Sequence, residues 1–77
     1  MANHTRNKKY LMAFGRHLRT LREKEDLSQI ALALKCNIDK NQIGNLERGE
    51  KNPTITTLYA ISKVLKISPK DLLDFEI

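Results

Sequence analysis

Between Leu27 and Gly49 the chain reads LSQIALALKCNIDKNQIGNLERG, and its second half gathers Lys40, Asn41, Asn45 and Arg48 in a short span. Asparagine offers a donor and an acceptor that match the N6/N7 edge of adenine. Lysine and arginine donate to guanine O6/N7 or to phosphate. The rest of the chain supplies nothing resembling a reaction centre. Cys36 is the single cysteine, and His4 and His17 are isolated. No nucleophile–base pair and no metal-ligand spacing arises from them. The chemistry on offer is recognition, so no enzyme, metal or cofactor is expected.

Those four residues share one side if the segment from Lys40 is helical. With Lys40 at zero and about 100° per residue, Gly44, Arg48, Asn41 and Asn45 fall at roughly 40°, 80°, 100° and 140°. Ile43 and Leu46 fall at roughly 300° and 240°, an apolar arc that must face a core. Glu47 lies near 340°, at the edge between the two. Gly44 leaves the middle of the polar face without a side chain, so the backbone can approach DNA closely. Its helix cost is about 1 kcal/mol relative to alanine. Any solvent-facing arc is polar, but asparagine is a poor helix former, and two in one short helix are unusual for a purely structural surface.

The elements that must position this face are helices. Leu11, Phe14, Leu18 and Leu21 mark one apolar side of a first helix from about Lys8 to Glu25–Asp26. Ser28 caps a second, with Ile30, Leu32, Ala33, Leu34 and Cys36 as its apolar members. Asn37 tolerates the left-handed backbone that ends many helices. Asp39 is expected to cap the third helix, with Gln42 at the reciprocal capping-box position and Gly49 as terminator. Thr54 caps a fourth helix carrying Ile55, Leu58, Ile61, Val64 and Leu65, and Ser68-Pro69 with Asp71 opens a short fifth. Tyr10 and Tyr59 are expected to be partly buried, Cys36 to be a buried small hydrophobe, and His17 to sit at a surface or helix edge. The fold expected is all-α, a bundle of five short helices.

The chain has 77 residues, 40% of them apolar, enough for one small core. No run approaches the roughly 20 apolar residues that span a bilayer, and no signal peptide opens the chain. With one cysteine, a reducing compartment, the cytoplasm, is the expectation. The net charge is +5, and it is uneven. Arg6, Lys8, Lys9, Arg16, Arg19 and Arg22 meet no acid before residue 23, whereas Lys63, Lys66 and Lys70 balance Asp71, Asp74 and Glu76. A polyanion therefore suits the N-terminal part. Residues 1–9 read as a basic arm, with 1–7 disordered, and residues 10–77 as the folded domain. The arm's Arg6, Lys8 and Lys9 either follow phosphates or form an untethered solvated tail.

The segment 28–48 resembles the helix-turn-helix of Cro/lambda-repressor-like proteins, the Xre family. The likeness extends over about residues 14–73 through FGRHLRTLRE, LSQ with Leu32-Ala33, the core positions Ile38, Ile43 and Leu46, LERGEKNP, and TLYAISKVLKISPKDLL. It implies a lambda-repressor-like domain that binds double-stranded DNA. By that resemblance Lys40, Asn41 and Asn45 occupy base-reading positions. Ser28 and Gln29 contact phosphate at a helix start. Gln42 and Arg48 make backbone or flanking contacts, and Lys51 and Asn52 approach phosphates. Ala33 sits where the two motif helices cross, and Arg22 with Glu47 ties the first helix to the third. Departures from the family pattern are Asn37 and Lys66 at glycine positions and Ser62 at an alanine position.

The function implied is a sequence-specific regulator of transcription, binding a palindromic operator as a homodimer without a small-molecule ligand. A restriction–modification controller, an antitoxin or a phage repressor all suit so short a chain. The alternative is an antitoxin-type interaction module that binds a partner protein and DNA only secondarily. Leu72, Leu73, Phe75 and Ile77 either close the monomer's core or form a dimerisation patch.

Overall fold

A computed structural model describes residues 6–77 as five helices with no strand among them: α1 (Lys8–Lys24), α2 (Gln29–Cys36), α3 (Gln42–Glu47), α4 (Ile55–Val64) and α5 (Pro69–Leu72). Short polar side chains start most of them by accepting an otherwise orphan backbone N–H. Asn7 accepts from Tyr10 N at 2.9 Å, Ser28 from Ala31 N at 3.0 Å and Thr54 from Thr57 N at 3.2 Å. Ser68 and Asp71 form the reciprocal capping box, with proline in the first turn of α5.

The third helix departs from expectation. No Asp39–Gln42 capping box forms. Asp39 Oδ1 instead accepts from Asn41 N at 2.8 Å and Asp39 O from Gln42 N at 2.9 Å, so 39–41 is a turn. Asn41 becomes the N-cap residue, with no side-chain cap bond. The propensity argument from two asparagines inside one helix therefore applies to Asn45 alone.

Four helices end alike. The amide of a residue just past the end reaches back five residues: Leu27 to Arg22, Ile38 to Ala33, Glu50 to Asn45 and Ile67 to Ser62, at 3.0–3.3 Å. This closure needs a left-handed residue before the returning amide. Asp26 (φ 56°), Asn37 (59°), Gly49 (73°) and Lys66 (63°) fill it.

Every helix sends at least one side chain to the centre: Leu18, Leu32, Ile43, Leu46, Ile61 and Leu72 are each at most 1% exposed. Ala33 is fully buried, and Cys36 is buried with burial pushing its thiol pKa up. Ser62, 1% exposed, donates to Tyr59 O at 2.8 Å, which satisfies its hydroxyl inside the core. α1 packs on α3, α2 on α3 and α4, and α4 on α5. At the α1–α3 crossing a β-carbon on Gly15 would lie 2.3 Å from Glu47 O and 2.6 Å from Leu46 O. Only glycine lets the two backbones meet there.

Part of the apolar surface of α2 and α4 is outside. Ile30, Leu34 and Ile55 are more than half exposed, while Tyr59 and Tyr10, at 55% and 38%, are partly covered as expected. Each of these two helices carries an i, i+4 pair, Ile30 with Leu34 and Ile55 with Tyr59, on a stripe that faces away from the core. The C-terminal segment splits. Leu72 closes the core and Phe75 stacks against Tyr10, Phe14 and His17, while Leu73 and Ile77 are exposed. His17 is half-buried, its Nε2 3.0 Å from Asp71 O.

α1 begins at Lys8, where the first helix was expected, so Lys8 and Lys9 of the expected arm belong to its first turn. Arg6 donates to Glu50 O at 2.7 Å and Lys8 to Gly49 O at 3.0 Å. Neither is an untethered tail: both hold the loop that follows α3. The first five residues of the expected arm lie outside the described residues.

Candidate nucleic-acid interface

α3 is held from behind before it offers anything in front. Arg22 on α1 donates from Nε to Glu47 Oε2 at 2.6 Å and from Nη2 to Glu47 Oε1 at 3.1 Å, and from Nη1 to Leu27 O at 2.7 Å. This bidentate pair is buried, Arg22 being 8% exposed. Hydrogen bonding to Glu47 holds the guanidinium above its ordinary pKa, against the opposing pull of burial. The expected tie between the first and third helices is therefore present in fixed geometry.

Gln29 extends it. Its Nε2 donates to Glu47 Oε1 at 2.9 Å, which couples the start of α2 to the end of α3. The resemblance placed Gln29 at phosphate. Here it also serves as the bridge by which the two motif helices share one carboxylate.

In front, Gln29, Ile30, Lys40, Asn41, Gly44, Asn45 and Arg48 line one open depression of about 370 Å³. Three elements build it: the first turn of α2, the turn before α3, and the outer face of α3. Lys40 and Asn41 precede the helix rather than riding on it, yet they share this surface with Asn45 and Arg48. Gly44 forms the floor. It is not the open backbone approach expected, because a β-carbon there would lie 3.2 Å from Gln29 Oε1 and 3.2 Å from Arg48 Nη1. Side chains, not solvent, cover it.

The remaining predicted residues, Ser28, Gln42, Lys51 and Asn52, lie outside the lining of the depression. Ser28 is spent on its cap, although the free amides of α2's first turn remain available to an anion. Gln42 is half-buried in the first turn of α3, and Lys51 and Asn52 are exposed in the loop beyond Gly49. Arg48 donates from Nη2 to Asn45 Oδ1, and its Nε lies 3.2 Å from Glu50 Oε1. Sequence reasoning missed Gly15, Ile30 and Glu50 as parts of this site. Gly15 was detectable, because a glycine within a helical apolar pattern costs stability and calls for a packing reason. Ile30 and Glu50 gave no such signal.

A helix pinned by a buried ion pair, with a polar concave front flanked by a second helix's N-terminus, is the geometry of a helix-turn-helix DNA-binding domain. Comparison with known proteins agrees. The chain belongs to the HTH_3 helix-turn-helix family, which matches residues 18–72. It is 40% identical over 65 residues to the control protein C.BamHI of Bacillus amyloliquefaciens, covering 83% of this chain and 80% of that one. It is 37% identical over 60 residues to the control protein C.MunI of a Mycoplasma species, covering 77% and 81%. The crystal structure of the restriction-modification controller protein C.AhdI from Aeromonas hydrophila superposes with a TM-score of 0.79 at 35% identity, over 80% of this chain and 94% of that one. The all-helical, lambda-repressor-like fold is thus shared. Fold, surface and family together make the chain a DNA-binding regulator of transcription.

Proposed function

We propose that the chain binds a palindromic operator as a homodimer and acts as a control protein of the kind its relatives are named for. The observation that carries this reading is the depression in front of α3, which collects Lys40, Asn41, Asn45 and Arg48 around a helix that cannot shift without breaking the Arg22–Glu47 pair. Lys40, Asn41 and Asn45 face base edges. Ser28, Gln29, Gln42, Lys51 and Asn52 face the sugar–phosphate backbone, and Gly44 lets Gln29 and Arg48 lie close to the helix. The reading needs no cofactor and no catalysis, and the cytoplasm is where such a regulator meets its DNA.

A single helix-turn-helix reads few base pairs, and two copies on half-sites about 34 Å apart extend the address. Exposed Leu73 and Ile77 at the C-terminal end, with Ile55 and Tyr59 on the neighbouring α4, supply apolar surface for the second copy. The relatives' names favour a regulator over a partner-binding module.

Selection of bound sites from random duplex DNA tests the reading. A palindromic consensus, bound with affinity that falls steeply with salt, is expected. Light scattering should give a dimer on that site. A non-palindromic consensus bound by a monomer overturns the dimer, and a stoichiometric co-purifying protein with no enriched DNA overturns the regulator.

A further inference from the structure

The guanidinium of Arg48 sits in a three-sided seat. Its Nε lies 3.2 Å from Glu50 Oε1, its Nη2 donates to Asn45 Oδ1, and its Nη1 packs over Gly44, 3.2 Å from where a β-carbon would stand. The Schellman-type closure at Gly49 is what returns Glu50 to this position, through Glu50 N to Asn45 O at 3.0 Å. The side chain therefore lies back along α3, into the depression shared with Lys40 and Asn41. It does not extend from the helix end toward flanking phosphates.

The seat changes what Asn45 can read. A guanidinium carries donors only, so the Asn45 atom that meets it is the oxygen. An asparagine reading adenine uses that oxygen for N6 and its nitrogen for N7. With one lone pair of Oδ1 taken by Arg48, the unpartnered polar capacity of the two side chains is mostly donor: Asn45 Nδ2 and the unshared N–H groups of Arg48. The base that offers two acceptors on one major-groove edge is guanine, through N7 and O6. Glu50 meets the guanidinium only at Nε and takes none of the Nη donors, so it fixes the plane of the group without competing for the base.

We infer that Asn45 and Arg48 act as one reading unit that selects guanine, with Glu50 as its positioning residue. The inference rests on the DNA-binding reading above. It also assigns Glu50 a cost, because a carboxylate at this surface opposes phosphates of any sequence.

The test combines site selection with base analogues. Selection with the wild-type chain, Asn45→Ala and Arg48→Ala should relax the same base position in both variants, and the wild-type base there should be guanine. Replacing that guanine by 7-deazaguanine should weaken the wild-type chain roughly 5-fold or more and leave Arg48→Ala nearly unaffected. Glu50→Gln should lower discrimination at that position while raising affinity for unrelated duplex. Adenine at the shared position, or relaxation of two different positions, overturns the unit. Equal weakening of Arg48→Ala on every sequence returns Arg48 to the backbone. A Glu50→Gln variant that gains affinity with discrimination intact removes the positioning role. Failure to enrich any sequence would overturn the DNA-binding reading itself, an outcome distinct from an enriched operator with the wrong base.

Discussion

Glu47 and Arg48 are consecutive residues, and each pairs with an opposite charge, but the pairs live in different solvents. The Arg22–Glu47 side chains are 9% and 5% exposed, and the Arg48–Glu50 side chains 57% and 52%. The inner pair is bidentate, shares its carboxylate with Gln29, and crosses from one helix to another. The outer pair is local, bonded through a single nitrogen, and leaves donors unused. The same chemistry fixes a fold when water is excluded and recognises a ligand when it is not. Breaking a buried pair leaves a charge stranded, whereas an exposed pair contributes little stability.

The contrast can be broken by exchanging the two pairs' expected effects. Glu47→Gln strands Arg22 and should cost about 3–5 kcal/mol, a drop in melting temperature of more than roughly 12 °C for a domain this size. A wild-type melting curve would move the inner pair out of the structural role. Gly15→Ala attacks the same crossing sterically, forcing α1 off the Leu46 and Glu47 carbonyls, and should cost about 1–3 kcal/mol or more, measured by urea unfolding. Tolerance of that alanine would mean the helices can separate without loss.

Smaller effects sharpen the comparison. Lys66 is left-handed where glycine is strain-free, and its ion pair with Glu25 is long, 3.8 Å, and exposed. Lys66→Gly should therefore stabilise by up to about 1 kcal/mol, and a lower melting temperature would show that the exposed pair matters more than the backbone. On the outer pair, Arg48→Met should stay within about 0.5 kcal/mol of wild type in stability while DNA selectivity falls. A large loss of stability would make it a second structural clasp. Cys36 supplies the smallest effect. Burial raises its thiol pKa in the folded state, so the stability present at neutral pH is lost as pH climbs from the unfolded thiol's value toward the folded one. Urea midpoints near neutral pH and at about pH 10 should fall further for the wild type than for Cys36→Ala. Equal falls would show that the thiol ionises freely when folded.

What the sequence disclosed and what it hid follow from range. Ser28, Thr54 and the Ser68–Asp71 box were legible because a cap acts within one turn. Asn37 and Lys66 were legible because the backbone after a helix has few options. The Arg22–Glu47 tie and the crossing at Ala33 came through the resemblance. Asp39 was misjudged because a side chain that can close a helix can equally close the turn before it. The exposure of Ile30, Leu34 and Ile55 was not legible because periodicity marks an apolar stripe without showing how much of it the neighbouring helix covers. Of the candidate site, the residue types were readable and their mutual arrangement was not. Gln29 bridging to Glu47, and Arg48 lying over Gly44, depend on α2 and α3 meeting at a particular distance. No spacing within either helix encodes that distance.

Arg6 and Lys8 hold the carbonyls of Glu50 and Gly49, across more than forty residues of chain. For anyone handling the protein this has a practical side. A purification tag joined ahead of Arg6 leaves the molecule at the rim of its DNA-facing surface, and a polyhistidine or acidic leader there would add its own charge to every titration. The tag is best removed before any affinity is compared, since the other end of the chain carries Leu73 and Ile77 of the proposed dimer surface.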